Sequence, residues 1–517
     1  MKAKLYTLLA IWLLCACTQK PENVTVVNTL PTIFPDYTDV TIPVGIAPLN
    51  FNVVADTPVE CVDATVTGGN GVTVHANGKW AKFDIESWHQ LLEANAGGKL
   101  SVSVQAKLNG QWYKYNDFTI FVSEYPLDEW GVTYRRIAPG YEVYSSLGIY
   151  QRDLSNFDEF SIIDNKDSHG MCLNCHTPNK TNPEQFVFHV RGPHGATMIQ
   201  QNGKREWLQA RNDALGGAMV YPYWHPSGKY CAFSTNQTNQ AFHIGMEKRI
   251  EVFDQASDVF VYNVETHEMV VDTLLSGKDT WENVPIFSPD GKTMYFISAQ
   301  KHDYPLQYKE VKYNLCSIAF DAETGTFGNK VDTVFNAVAM NKSLTWPKPS
   351  FDGRYMLFTL ADYGYFSIWH KESDIWLMDL ATGEAKPLET INSDDAESYH
   401  NWSDNSRWML FTSRRMNGLY SQLFIASIDE EGNATKPFLL PQENPLEYYD
   451  ETLYSFNVPN FTKVKVSFDQ AAAAAEIVSD KRIASSVYSF AFIYLYRFGC
   501  ILSFGTSAVG LYFFTTL

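Results

Sequence analysis

Residues 172–176 read Cys-Leu-Asn-Cys-His, a spacing with a specific chemistry. In the Cys-x-x-Cys-His pattern two thiols bond to the vinyl groups of a porphyrin, and the adjacent imidazole binds the iron, as in c-type haem attachment. With 8 cysteines and 12 histidines among 517 residues, the pattern arises by chance about 0.003 times in such a chain. The motif therefore predicts one covalent haem c, held by Cys172, Cys175 and His176.

Two other interpretations of the same cysteines remain open. Cys172 and Cys175, followed by His189 and His194, also satisfy the spacing of a zinc site. A zinc finger needs its histidines on a helix, whereas the run around His189 alternates like a strand and Gly-Pro precedes His194. A disulfide without a metal is the third interpretation.

The second axial ligand of the iron would come from the sequence around the motif. Histidine nitrogen and methionine sulfur are the donors that haem iron accepts, and five residues supply them: His169, Met171, His189, His194 and Met198. We expect His189, because it lies in the strand that follows the motif. The other histidines show no paired spacing, and we interpret six of them as turn and surface residues: His225, His243, His267, His302, His370 and His400.

A repeated unit organises the middle of the chain. Each copy has a strand, a tight turn and a second strand, and the turns are marked by Gly228, Gly291, Gly353 and Ser406. Each copy also has a later strand and turn. A period near 60 residues with about four strands per unit predicts a β-propeller. With two further degenerate units we expect six blades, closed by a C-terminal strand around Ser455 that joins the N-terminal strands.

The repeat resembles the TolB-type propeller repeat, a WD-repeat-like module of bacterial envelope proteins. Residues 288–292, Ser-Pro-Asp-Gly-Lys, match its first mark in full. The resemblance covers residues 131–461 and implies a six-bladed propeller, into which residues 169–198 would be a haem-binding insertion. The run Phe-His-Val-Arg-Gly at 188–192 resembles a His-x-Arg-Gly run of haem-bearing envelope propellers, which implies that Arg191 pairs a haem propionate.

The region before the propeller, residues 18–124, alternates apolar and polar residues in short runs separated by turn signals. This pattern predicts an immunoglobulin-like β-sandwich, with one short helix near residues 86–94 for which Ser87 is a candidate N-cap. The fold class expected for the chain is therefore all-β, with a sandwich followed by a propeller.

The first residues resemble a bacterial lipoprotein signal. Lys2 and Lys4 precede a short apolar stretch, and Ala16-Cys17 precedes polar residues. The resemblance implies that residues 1–16 are removed and that Cys17 carries lipid, which places the protein in the cell envelope, on the periplasmic side or at the outer membrane. Simple secretion with a free Cys17 is the alternative.

Composition excludes one class of partner. The net charge is −18, and no cluster of Lys and Arg provides the phosphate contacts that nucleic acid requires. The membrane is expected as a partner only through the N-terminal lipid. Residues 462–517 depart from the propeller composition, and 498–517 carry no charge. This atypical tail is either a membrane segment or a product of a shifted reading frame.

Taken together, the motif and the signal predict an envelope lipoprotein that binds haem and acts in electron transfer or redox sensing, with a redox protein or another envelope protein as partner. Two alternatives remain: a propeller without catalytic activity that docks a protein or glycan, and a haem-dependent oxidoreductase. We assign no catalytic residue.

Overall fold

The computed structural model describes residues 19–138, 146–209, 211–212, 217–243, 248, 250–479 and 481–489. Nearly all regular structure in these residues is β-strand, so the predicted all-β class is confirmed. The signal segment 1–16, the lipidation candidate Cys17 and the uncharged tail 498–517 lie outside the described residues.

The N-terminal unit is built on one seven-stranded sheet. Its strands alternate buried and exposed residues because one face packs on the core: Thr25–Val26, Thr41–Ile42, Val59–Gly68, Thr73–Gly78, Lys99–Leu108, Gln111–Lys114 and Phe118–Val122. Ile33–Phe34 pairs with Asn52–Val53 in a separate ladder. The short helix is Ile85–Glu93, and Asp84 rather than Ser87 is its N-cap, because the Asp84 carboxylate accepts from the Ser87 backbone N–H.

Six sheets of the propeller follow, which confirms the predicted blade number. Blades 2 to 6 take their strands from the chain in order, innermost first: Cys172–Asn179, Asn182–Arg191, Ala196–Gln201 and Lys204–Gln209 in blade 2; Gly217–Trp224, Tyr230–Phe242, Ile250–Asn263 and Glu268–Val271 in blade 3; Thr280–Phe287, Thr293–Gln300, Tyr313–Asp321 and Thr326–Phe335 in blade 4; Ser343–Pro349, Tyr355–Ala361, Asp374–Asp379 and Ala385–Pro387 in blade 5; Glu397–Trp402, Trp408–Ser413, Gln422–Ser427 and Phe438–Leu439 in blade 6. Blade 3 has two further short strands: Arg211–Asn212 pairs with its innermost strand, and Ser486–Ser489 pairs with its outermost strand.

Blade 1 closes the ring as expected. Its innermost strand, Ser455–Thr462, comes from the C-terminal side and pairs with Gly131–Ile137. Leu147–Asp153 and Glu159–Asp164 complete it. The innermost strand of each blade packs against that of the next blade, from blade 1 to blade 6 and back to blade 1, so the six sheets form a closed ring.

The turn markers of the repeat have the conformation that the sequence pattern indicates. Gly228, Gly291, Gly353 and Ser406 all have positive φ, between 59° and 77°. Each lies in the tight turn between the first and second strands of its blade, where a left-handed residue lets the chain reverse.

A second repeat, which sequence analysis did not identify, lies in the innermost strands. Each strand has a β-bulge at which one residue adopts positive φ: Cys175, Tyr221, Val284, Trp346, Tyr399 and Val458, with φ of 53°, 50°, 48°, 54°, 47° and 51°. The strand pairing shifts at each of these points. The bulge therefore recurs once per blade.

This register corrects two expectations about residues 169–198. The segment is not an insertion, since it supplies the first two strands of blade 2 and the beginning of the third. The second expectation came from aligning residues 175–179 with Trp224–Gly228 of the next repeat, which places Cys175 at the position of Trp224, at a blade turn. Instead, Cys175 is equivalent to Tyr221 at the bulge, so the motif lies within the innermost strand, three residues earlier than that alignment indicates.

The N-terminal unit and the propeller share one hydrophobic core. Phe51 and Leu100 of the first unit belong to the same buried cluster as Val132 of blade 1 and Trp408 of blade 6. The Trp408 indole N–H also donates to the backbone oxygen of Pro126, at 3.1 Å. The two units therefore pack against each other and share buried side chains, and they are not joined by a linker alone.

The beginning of the predicted tail is part of the propeller. Helix Gln470–Val478 packs on the outside of blades 1 and 2, where Ala473 and Ile477 are fully buried. The helix is held there by Glu476, which accepts from the Trp207 indole and pairs with Arg205. Ser486–Ser489 then extends blade 3. A boundary at residue 461 would cut through this packing.

The remaining helical segments are short: Pro445–Glu451, and the 3-10 turns Thr273–Leu275, Tyr308–Glu310 and Val338–Met340. Among the residues that the structure describes, no helix has the length and apolar character needed to cross a membrane.

Candidate functional site at the channel

The six bulges surround the central channel of the propeller. Their side chains border a cavity of about 230 Å³, and three of them are aromatic: Tyr221, Trp346 and Tyr399. Four of the six site residues predicted from sequence border this same cavity: Cys172, Cys175, His176 and Arg191. The fold thus brings most of the predicted haem site to one place.

The two thiols of the motif are free and buried, with exposed fractions of 3% and 6%. The Arg135 guanidinium of blade 1 lies 3.4 Å from Cys172 Sγ, and its Nε donates to the backbone oxygen of Leu173. Cys175 faces the other neighbour, since its sulfur lies against the Tyr221 backbone of blade 3. Burial raises the pKa of the Cys175 thiol, and nearby Arg191 opposes that shift.

His176 is buried between blades 1 and 2. The Asn460 amide approaches its Nε2 at 3.5 Å, and the Thr133 backbone lies within hydrogen-bonding reach of the ring. Burial lowers the pKa of His176 to about 3, so the ring is neutral. A neutral imidazole has the protonation state that a metal ligand requires.

Arg191 ends the second strand of blade 2, directly opposite Cys172. Burial alone would lower its pKa, but the neighbouring Cys175 and Cys172 raise it overall, so the guanidinium is charged. In the part of the chain that the structure describes, neither Arg191 nor Arg135 forms an ion pair with a carboxylate. Two cations, Arg135 and Arg191, therefore lie at the channel mouth, and no described carboxylate pairs with either of them.

His189, the expected second axial ligand, is not at the channel. It lies in the second strand of blade 2 with an exposed fraction of 2%, directly opposite Asn174 of the motif, and its Nδ1 lies 3.0 Å from Thr197 Oγ1 of the third strand. His189 is therefore close to the motif backbone, but it is one strand further from the channel and Thr197 contacts its ring nitrogen. The described residues also contain no group of three or more His, Cys, Asp or Glu side chains placed to hold a metal ion, which argues against the zinc arrangement.

Several channel residues were missed or misinterpreted from sequence. His400, which we interpreted as a surface residue, is 1% exposed and follows the bulge of blade 6 as His176 follows that of blade 2. His225 and His370 are also buried, and they bond to Gly291 and Glu251. The signal that could have located the channel is a residue-proline pair at four bulges: 221–222, 284–285, 346–347 and 458–459.

The residues at the mouth fit a haem in their donor chemistry: two free thiols, a neutral imidazole and two guanidinium groups. The backbone between Cys172 and His176 is extended, however, and the spacing i, i+3, i+4 lies on one side only in a helix. Attachment of both thiols to one porphyrin therefore requires residues 172–176 to rearrange. Because the cavity is smaller than the ~300–1,000 Å³ that encloses a drug-sized ligand, a porphyrin would also have to occupy the open mouth.

The fold and the channel define the protein as a six-bladed β-propeller with an N-terminal β-sheet unit. No family model matches the chain, and no curated protein sequence matches it. Among solved structures, TolB from Acinetobacter baumannii is similar over 70% of this chain and 79% of its own, with 13% identity and a TM-score of 0.41. An oligogalacturonate lyase in complex with manganese matches over 59% and 72%, with 12% identity and a TM-score of 0.33. A puromycin-hydrolyzing peptidase of Mycobacterium tuberculosis matches over 78% and 57%, with 12% identity and a TM-score of 0.35.

Proposed function

We propose that the protein carries one haem c at the mouth of the propeller channel and acts in electron transfer or redox sensing. The observation that carries the proposal is the meeting of Cys172, Cys175 and His176 with Arg135 and Arg191 on one cavity. When bound, the haem supplies one-electron chemistry.

The roles of the residues follow from their positions. Cys172 and Cys175 would be the attachment points, and the neutral His176 imidazole would bind the iron. Arg135 and Arg191 lie beside the thiols and provide the charge that carboxylates of a bound group require. Tyr221 and Tyr399 supply flat apolar surface next to the mouth.

Covalent haem is the property to measure. The full chain, exported in a host that attaches c-type haem, is denatured and tested for haem peroxidase staining on a gel and for the reduced absorption band of a c-type haem. We expect staining of the native sequence and none for the Cys172→Ala/Cys175→Ala variant. The matched control is Cys231→Ala/Cys316→Ala, because these two thiols are also buried and free but lie in blade cores away from the channel.

A colourless native protein that is folded by circular dichroism would falsify the haem proposal. Equal staining of the Cys172/Cys175 variant and the control would likewise show that any bound haem is adventitious. A colourless protein that retains a disulfide or zinc would favour the alternative, a propeller that docks a protein or glycan partner.

The same proposal includes the place of the protein in the cell. It rests on the lipoprotein-like residues around Cys17, with the lipid as membrane anchor and a redox protein or another envelope protein as partner. Mass spectrometry of the mature N-terminus tests the lipid, because acylation of Cys17 and removal of residues 1–16 give a defined mass. We further propose that the N-terminal sheet unit has the immunoglobulin-like sandwich arrangement.

A further inference from the structure

The wall of the channel between blades 5 and 6 carries a buried hydrogen-bond donor that has no acceptor among the described residues. Trp346 borders the cavity with an exposed fraction of 5%, and its Nε1 makes no hydrogen bond to these residues. His400 borders the same cavity and is 1% exposed, and the backbone of Leu357 and Trp346 lies within hydrogen-bonding reach of its ring. A buried donor without a partner is costly, and this cost falls when a ligand supplies the acceptor.

Lys348 adds a positive charge to the same wall. It lies two residues beyond Trp346 on the innermost strand of blade 5, and its Nζ lies 4.9 Å from the centre of the Tyr223 ring. None of the ion pairs between described residues includes Lys348. Burial lowers its pKa to about 8, and burial together with Lys348 lowers the pKa of His400 to about 3. Near neutral pH the wall thus combines a charged amine with a neutral imidazole.

Among the described residues that border the cavity, no acidic residue neutralises this charge. Asp and Glu make up 58 of the 517 residues and the chain carries a net charge of −18, yet this described lining includes neither type. It does include four basic residues: Arg135, Arg191, Lys348 and Arg414. A cavity whose described lining carries positive charge and no carboxylate is complementary to an anion.

The surroundings of the donors indicate what kind of anion fits. Val252, Ile286 and Phe366 border the same cavity, so apolar surface lies beside the charged group. An inorganic ion cannot use that surface, whereas an organic acid buries its hydrocarbon part there. The enclosed volume of about 230 Å³ restricts the ligand to a small molecule.

We propose that the channel wall formed by Trp346, Lys348 and His400 binds the carboxylate group of a small organic acid. Lys348 supplies the opposing charge, the Trp346 indole N–H donates to a carboxylate oxygen, and the neutral His400 ring lies beside Lys348. The three residues are on blades 5 and 6 and border the same cavity as the thiols of blade 2, but the proposal does not depend on haem.

Calorimetric titration of the full chain with butyrate and benzoate, and with inorganic phosphate for comparison, tests the proposal. We expect both carboxylates to bind and phosphate to bind more weakly. Lys348→Met should weaken carboxylate binding about tenfold or more, because it removes a charge-assisted hydrogen bond. Lys292→Met makes the same charge change on an exposed turn and should leave binding unchanged.

A second variant, Trp346→Phe, tests the same site if Lys348→Met does not fold. Trp346→Phe keeps an aromatic ring but removes the indole donor, and it should weaken benzoate binding severalfold. Repeating the titration on Cys172→Ala/Cys175→Ala separates this site from the haem proposal, since binding should persist there. Three results would overturn the inference: no carboxylate binding by the folded native protein, equal binding by Lys348→Met, or phosphate binding as tight as that of the carboxylates.

Discussion

Asp254 illustrates how a single buried residue makes the stability of this propeller depend on pH. It lies in the third strand of blade 3 with an exposed fraction of 5%, and one carboxylate oxygen accepts from the amides of Asn236 and Asn283. Burial raises its pKa from 3.8 to about 7, although those hydrogen bonds act in the opposite direction. The folded protein therefore holds a proton on Asp254 that the unfolded chain releases.

The sign of the pH effect follows from proton binding. Between about pH 4 and pH 7 the folded state binds more protons at this site than the unfolded state, so stability falls as pH rises. A shift of about three pKa units changes the free energy of unfolding by at most about 4 kcal/mol. We expect Asp254→Asn to gain stability relative to the native protein as pH rises from 4.5 to 8, measured by urea unfolding. Asp56→Asn, on the exposed surface, is the control. A stability difference that stays constant with pH would contradict this assignment.

At the scale of elements, helix Gln470–Val478 shows that the propeller continues beyond its last blade strand. Ala473 and Ile477 complete a buried cluster with Phe188, Trp207 and other residues of blades 1 and 2. Asp469 caps the helix by accepting from the Ala472 backbone N–H. The composition of this segment suggested a separate tail, because small alanines were not expected to fill a groove between blades.

A matched pair of substitutions tests the role of this helix. Ala473→Asp places a charge in the buried cluster without a partner and should cost roughly 3–5 kcal/mol of unfolding free energy. Ala475→Asp makes the same change on the exposed side of the helix and should cost less than about 1 kcal/mol. Chemical denaturation of both variants measures the difference. If the two variants were equally stable, the helix would not contribute to the folded core.

At the scale of the whole molecule, the shared core couples the N-terminal unit to the propeller. The hydrogen bond from Trp408 to Pro126 is joined by others, such as those from Asn50 to the backbone of Gln442 and Glu443 and from the Tyr37 hydroxyl to the backbone oxygen of Leu439. Since buried side chains of both units belong to one cluster, separating the units would expose apolar surface on each.

This coupling predicts the thermal behaviour of the protein. The full chain should melt in one calorimetric transition, because neither unit keeps its core when the other unfolds. Removal of residues 19–122 should lower the Tm of the remaining propeller, since it uncovers Val132 and Trp408. Two well-separated transitions, or a propeller whose Tm is unaffected by the deletion, would show that the units are independent.

The sequence by itself determined the all-β class, the six blades and the closure of the ring. The reason is that these features are encoded locally, in alternating strands and in turns where Gly228, Gly291 and Gly353 reverse the chain. It also predicted Cys172, Cys175 and His176 as haem-attachment residues from their short spacing, and this stays a prediction.

Only the tertiary structure decided what surrounds those residues. The bulge in each innermost strand shifts the register and fixes which side chains face the channel, and this depends on pairing with a neighbouring strand. From its position in the sequence we expected His189 at the channel, but it does not border the cavity. Trp346, Lys348 and His400 do border it, and the sequence did not identify them. Those three residues are far from the motif in sequence, and ring closure brings them to the same cavity.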